Sequence, residues 1–186
     1  YASRGLGDVY KRQFLFCGMS VSPQTPIYLD KSQPIEQRIE DALSRMTLQE
    51  KINIIHAQSK FSAPGVPRLG IPELWCTDGP MGVRPEVMWD EWDQAAWTND
   101  SCMAFPALSC LAATWNPRMA SLYGKSIGEE ARFRNKSVLL GPGINVYRTP
   151  LCGRNFEYMG EDPYLISHMV VPYVQGVQSN GVSACV

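Results

Sequence analysis

Apolar residues recur early in the chain at the spacing of a single helical face. Ile35, Ile39, Leu43 and Met46 share one such face, and Pro34 suits the first position of a helix running to about Met46. Thr47, with Glu50 three residues on, forms a capping box that opens a second helix with Leu48, Ile52 and Ile55 turned inward. These two helices are expected to close one end of a barrel. Pro64, Gly65, Pro67 and Gly70 then mark a loop, and Ile71 to Thr77 is a short apolar strand that delivers Asp78 at its carboxyl end. Asn116 and Pro117 cap and start a helix to about Arg134, with Met119, Leu122, Ile127 and Ala131 as its apolar set. Ser137 to Leu140 is a second buried strand, and Gly141 opens its exit loop. Asp162 and Pro163 start the next helix, with Leu165, Ile166, Met169, Tyr173 and Val177 at helical spacing, before a third strand over Val182 to Val186. Strands alternating with helices, with polar residues where the strands end, predict a parallel α/β fold.

Composition narrows the choice of partner. With 17 basic and 18 acidic residues and a formal charge of −1, the 186-residue chain offers no electrostatic case for nucleic acid or an anionic membrane, so the expected ligand is small and neutral. Its 15 glycines and 14 prolines fit a chain with many strand-to-loop transitions.

Residues 1–13 read as a sequencing or cloning scar, because Asp8 to Gln13 translates a transposon end used in library preparation. Residues 14–24, apolar and then small, resemble the tail of a secretory signal peptide, which places the protein in the periplasm or outside the cell. The alternative is an apolar strand or helix start, since the run is shorter than the roughly 20 residues of a membrane span. Cys17 follows Phe16 rather than a small residue, which argues against lipid attachment.

Cys76, Cys102, Cys110, Cys152 and Cys185 match no metal framework and are expected to be buried free thiols, although export would allow a disulfide. His56 and His168 lie in helical patterns without companion ligands, so a metal site is not expected. From Arg84 to Phe105 the chain is polar and irregular, with Trp89, Trp92 and Trp97 among five acidic residues; such a loop is functional, or anchored by its aromatics. Trp115 reads as packing at a helix start.

The most informative segment runs from Gly141 to Leu165, GPGINVYRTPLCGRNFEYMGEDPYL, which clusters charged and hydrogen-bonding groups where a buried strand ends. Together with RIEDALSRMTLQEKI (Arg38 to Ile52), PRLGIPELWCTDGPMGVR (Pro67 to Arg84), FPALSCLAATWNP (Phe105 to Pro117), IGEEAR (Ile127 to Arg132) and YVQGVQSNGV (Tyr173 to Val182), it resembles the amino-terminal domain of glycoside hydrolase family 3. The texture is closest to secreted bacterial β-glucosidases. The resemblance covers nearly everything from Thr25 to Val186. It implies a (β/α)8 TIM-type barrel, in which residues 25–186 would supply about three of eight strands and the site would lie on the carboxyl-terminal face.

Three residues carry the implied sugar site. Asp78 matches the family's aspartate that holds hydroxyls of the non-reducing terminal sugar, a task suited to a carboxylate; from Asp-Gly-Pro alone it reads equally as a turn aspartate. Arg154 matches the sugar-binding arginine, whose planar fork can bond adjacent hydroxyls and could pair with Asp78. Arg84 either joins the pocket or supports its loop. Met81 stands where many relatives have His. Glu157 is expected to orient Arg154, and Glu161 with Asp162 to serve the next helix, rather than to form an acid and base pair.

The implied reaction is retaining hydrolysis of a terminal β-D-glucosyl residue by two carboxyl groups roughly 5 to 5.5 Å apart. Both are expected beyond Val186, as is a Lys-His pair on the third strand's exit. The chain is thus expected to be an inactive fragment that folds poorly alone, with no assigned catalytic residue. An exo-β-xylosidase or a non-catalytic carbohydrate-binding protein is the alternative, and an N-acetylglucosaminidase is less favoured. Asn99 and Asn135 sit in N-x-S patterns that matter only in a glycosylating host.

Overall fold

Short apolar runs between proline and glycine punctuation become strands, and longer periodic runs become helices. The computed structural model describes residues 25–84 and 101–186. The expected scar and leader, Trp89, Trp92, Trp97 and Asn99 lie outside the described residues. The chain divides into two compact units, Tyr1–Thr47 and Leu48–Val186.

In the first unit a 3-10 turn, Ile27–Leu29, precedes helix α1, Ile35–Arg45. Pro34 is the cap of α1, one position earlier than expected, because its ψ of 140° is extended. Polar residues of α1 grip the turn. Asp41 accepts from the Tyr28 amide at 3.0 Å and from Arg45 Nε at 2.9 Å, while Arg38 Nε donates to the Tyr28 carbonyl at 3.2 Å. Ile35, Ile39 and Leu43 share a face, but that face is exposed.

The second unit begins with α2, Leu48–Ile54. Leu48 and Ile52 were expected inward and are exposed, and Ile55 falls beyond the last helical residue, as does His56. A seven-residue helix is too short to present a sustained apolar stripe.

A four-stranded sheet comes next, in the order β1 (Ser62–Ala63), β2 (Leu74–Asp78), β3 (Val138–Leu140) and β6 (Ser183–Cys185). β2, β3 and β6 are parallel and in register, with Asp78 opposite Leu140 and Leu140 opposite Cys185. β1 pairs antiparallel with β2, an edge the sequence pattern does not foretell. Along the chain from β3 to β6 comes a second, two-stranded parallel sheet of β4 (Gly143–Val146) and β5 (Tyr158–Gly160), in place of the expected plain exit loop. Tyr147 seals it, its amide donating to the Gly160 carbonyl at 3.0 Å and its hydroxyl to the Tyr158 carbonyl at 2.6 Å.

Helices α3 (Leu108–Ala113), α4 (Pro117–Phe133) and α5 (Pro163–Gln178) complete the unit. Asn116 caps α4 by accepting from the Arg118 amide, and Asp162 caps α5 by accepting from the Tyr164 amide. The buried face of α4 is the expected one only in its second half, where Ile127 and Ala131 are buried. Met119 and Leu122 are exposed, while Ala120, Tyr123, Gly124, Ile127, Gly128 and Ala131 are buried. Small residues win because α4 and α5 approach backbone to backbone. A Cβ on Gly124 would run into the Tyr173 carbonyl oxygen and stand 2.8 Å from its carbon, and one on Gly176 would stand 2.5 Å from the Ser121 carbonyl oxygen. Ile166, Met169, Tyr173 and Val177 of α5 pack into the same core as Leu139 of β3.

All five described cysteines are free thiols, but none is buried: Cys110, Cys152 and Cys185 are exposed, Cys76 and Cys102 half-buried. Cys110 lies on the face of α3 opposite Leu108, Leu111 and Ala112, Cys152 in a loop, and Cys185 on an edge strand. Trp115 stands at a helix start as expected, yet it is exposed with φ 51°, so it does not pack there. Among the described residues no helix is long and apolar enough to cross a membrane.

Candidate functional site

Parallel strands that end in step bring their last residues to one rim. The carboxyl ends of β2, β3 and β6 contribute Asp78, Leu140 and Cys185 to a cleft of about 870 Å³, whose opposite side is formed by Arg154, Phe156 and Glu157. A crevice outside strand carboxyl ends is where α/β sheets generally place ligands.

Asp78 is the last residue of β2, and the turn Gly79–Gly82 comes directly after it. This turn requires glycine at both ends. Gly79 has φ 135° and Gly82 φ 144°, and a side chain on Gly79 would collide with the Gly82 carbonyl oxygen. Gly141, at the end of β3, lies so close that its Cβ would be 2.7 Å from the Gly79 carbonyl oxygen.

Two ion pairs organise the charges. Arg84 Nη1 meets Asp78 Oδ2 at 3.2 Å, its amide donates to Thr77 Oγ1 at 3.3 Å, and its guanidinium lies 5.0 Å from the centre of the Phe61 ring. Arg154 donates from Nε and Nη2 to both oxygens of Glu157, at 3.0 and 2.6 Å. The hydrogen bonds and charge of Glu157 push the Arg154 guanidinium further up. Arg154 is 70 % exposed at its side chain against 17 % for Glu157, so the carboxylate is the fixed partner and the arginine the presented one.

Asp78 and Arg154 therefore line one cleft, each with its own counter-charge rather than paired with the other. Arg84 is not in the cleft wall and reaches it through Asp78. Asp162 caps α5 as expected, whereas Glu161 lines a separate crevice with Tyr147 and Arg148. Asp78 Oδ1 keeps acceptor capacity and Arg154 retains N–H groups, which suits hydroxyl groups of a neutral ligand. Phe156 supplies an exposed apolar face in the same wall.

Sequence reasoning missed Tyr123 and Tyr173. The Tyr173 hydroxyl donates to the Pro80 carbonyl of the turn at 3.2 Å, and the single hydroxyl proton of Tyr123 is shared between the Pro106 carbonyl at 2.8 Å and the Pro80 carbonyl at 3.1 Å. Nothing in the pattern signals this, because a tyrosine at helical spacing reads as core.

Comparison with known proteins gives consistent matches. Residues 48–186 match the Glycosyl hydrolase family 3 N terminal domain. The chain is 69% identical over 163 residues to beta-glucosidase BoGH3A of Bacteroides ovatus, covering 88% of this chain and 22% of that protein. It is 43% identical over 149 residues to thermostable beta-glucosidase B of Acetivibrio thermocellus, covering 79% of this chain and 19% of that one. Among solved structures, beta-glucosidase 3B from Thermotoga neapolitana in complex with glucose superposes with a TM-score of 0.66 at 37% identity, over 79% of this chain and 22% of that chain. The chain thus spans about a fifth of the length of these relatives.

Proposed function

The chain belongs to glycosyl hydrolase family 3, and from that premise we propose that it forms part of the glycone pocket of a retaining, exo-acting β-glucosidase. One observation carries the reading: Asp78 and Arg154 face a common cleft at the ends of three parallel strands, each held by a separate partner. In this assignment Asp78 accepts hydrogen bonds from hydroxyls of a terminal β-D-glucosyl unit, Arg154 donates to them, and Arg84 steadies Asp78. The ligand is a small neutral glycoside, and no cofactor takes part.

The same reading extends the parallel sheet to a (β/α)8-type barrel, with residues 25–186 contributing its opening strands and a leader directing export. The similarity to beta-glucosidases over most of this chain supports it. In this assignment the pocket recognises the sugar and the two catalytic carboxyl groups come from other parts of the full-length protein. The pairing of Glu157 with Arg154 through both oxygens, and of Asp78 Oδ2 with Arg84, supports a binding role for these residues.

Hydrolysis of an aryl β-D-glucoside by the full-length protein tests the assignment, with the β-D-xyloside and α-L-arabinopyranoside run beside it to fix the sugar. Asp78→Ala and Arg154→Ala each remove charge-assisted hydrogen bonds and should lower kcat/KM by about 10- to 100-fold. Unchanged efficiency in either variant removes that residue from the pocket.

A further inference from the structure

Two tyrosines from different helices converge on one backbone atom of the turn that carries Asp78. Tyr173 of α5 is fully buried and Tyr123 of α4 nearly so, with ring centres 5.4 Å apart. Each hydroxyl reaches the Pro80 carbonyl, at 3.2 and 3.1 Å. A carbonyl oxygen has two lone pairs and can accept from both. Tyr173 gives its proton to Pro80, while Tyr123 shares its single proton between the Pro80 carbonyl and the Pro106 carbonyl, which lies nearer at 2.8 Å. The next carbonyl, that of Met81, accepts from the Phe105 amide at 3.0 Å. The turn is thereby tied to the helical layer on one side while Asp78, Gly79, Pro80 and Met81 face the cleft on the other.

A buried hydroxyl is costly unless paired, and a phenylalanine at either position would fill the same core without that requirement. Burial pushes both phenols far above their usual range, so both stay protonated donors. What the hydroxyls add beyond packing is a fixed location for Pro80, two residues past the carboxylate. The turn cannot relax by itself to restore that location, since its glycines already sit at φ 135° and 144° and Gly141 packs against it.

Resting on the glycone-pocket reading, we propose that Tyr173 and Tyr123 are positioning residues, which hold the Asp78 turn at the distance from Arg154 that a sugar requires. They touch no substrate. Their effect passes through the Pro80 carbonyl.

The test uses the full-length protein with Tyr173→Phe, Tyr123→Phe and the double variant, beside Val177→Ala, which loosens the same helix contact one turn further along α5. Hydrogen exchange at the amides of residues 79–84 is read together with kcat/KM for the aryl glucoside and with inhibition by glucose. Each single hydroxyl loss should speed exchange in the turn and lower kcat/KM about three- to tenfold, with glucose inhibition weakening in parallel. Val177→Ala should lower the thermal midpoint and leave both the turn and kcat/KM unchanged. Tyr variants that match Val177→Ala in exchange and efficiency overturn the proposal. If Tyr173→Phe fails to fold, Tyr123→Phe decides, with an effect at the lower end of that range because its proton is shared with the Pro106 carbonyl. A parent protein that neither hydrolyses nor binds these sugars overturns the glycone-pocket reading instead, and turn exchange then still shows whether the tyrosines fix the turn.

Discussion

Replacing Gly124 by alanine should pry α4 from α5 and carry the disturbance into the site. The added Cβ would collide with the Tyr173 carbonyl oxygen and stand 2.8 and 3.0 Å from its carbonyl carbon and Cα, where ordinary contacts begin at 3.4 Å. These are backbone atoms of a buried helix, so no side chain can swing away and the two axes must separate. Overpacking of this kind costs about 1–3 kcal/mol, from which up to roughly 1 kcal/mol is recovered because alanine favours a helix over glycine. The collision is with backbone, which places the gross cost at the upper end, so a net loss of about 2 kcal/mol is expected. Native-state hydrogen exchange of α4 and α5 amides in the full-length protein measures it where a single melting midpoint would blend several domains. Gly153→Ala is the control, since a Cβ there meets nothing within 4 Å, and it should be neutral or slightly stabilising. Protection in Gly124→Ala equal to the parent would refute the close-contact account. Because Tyr173 is the residue displaced, kcat/KM should fall as well.

Asn116→Ala removes the side chain that caps α4 and should cost about 1 kcal/mol of helix stability, measured by exchange of the first-turn amides of α4. Hydrogen bonds from the Ser32 hydroxyl and amide, then from Gln33, hold the Asp30 carboxyl below the usual aspartate range. A depressed folded-state value means that its contribution is present above the unfolded value and is lost as pH falls through the folded one; carbon-detected NMR titration should place the Asp30 midpoint below that of the same residue in the unfolded chain, and Ser32→Ala should raise it. A limiting thiol reagent at about pH 8, near the ordinary thiol range, should label Cys110, Cys152 and Cys185 before Cys76 on peptide mapping, because burial and then the neighbouring Cys185 push the Cys76 thiol up and the thiolate is the reactive form. Glu157→Gln should release Arg154 and lower kcat/KM for the aryl glucoside about tenfold while leaving Asp78 paired with Arg84.

What was legible in the sequence was local. Asn116-Pro117 and Asp162-Pro163 announce helix starts because capping uses residues two apart, and Glu157 three residues from Arg154 announces its pairing for the same reason. Asp78 could be placed because a strand that runs into Asp-Gly-Pro must end there. What was hidden depends on partners distant in the chain. β4 and β5 are too short to show a period and exist through each other. On α4 the expectation holds for Ile127 and Ala131 and fails for Met119 and Leu122, because large apolar residues dominate any periodicity, whereas Gly124 and Gly128 matter through what they lack. Arg84 and Phe61 meet from either side of a whole strand, and Tyr173 and Pro80 across 93 positions, with no motif to join them.

The strand order of the main sheet also bears on how the chain is made. β1, β2, β3 and β6 stand side by side in the order in which a ribosome would release them, and each new parallel strand is added on the side away from β1. The antiparallel β1 occupies the other flank, where it pairs with β2 across residues 64–73, which carry a 3-10 turn. Among the described strands, growth of the sheet during synthesis is therefore one-directional, each finding its template already emerged.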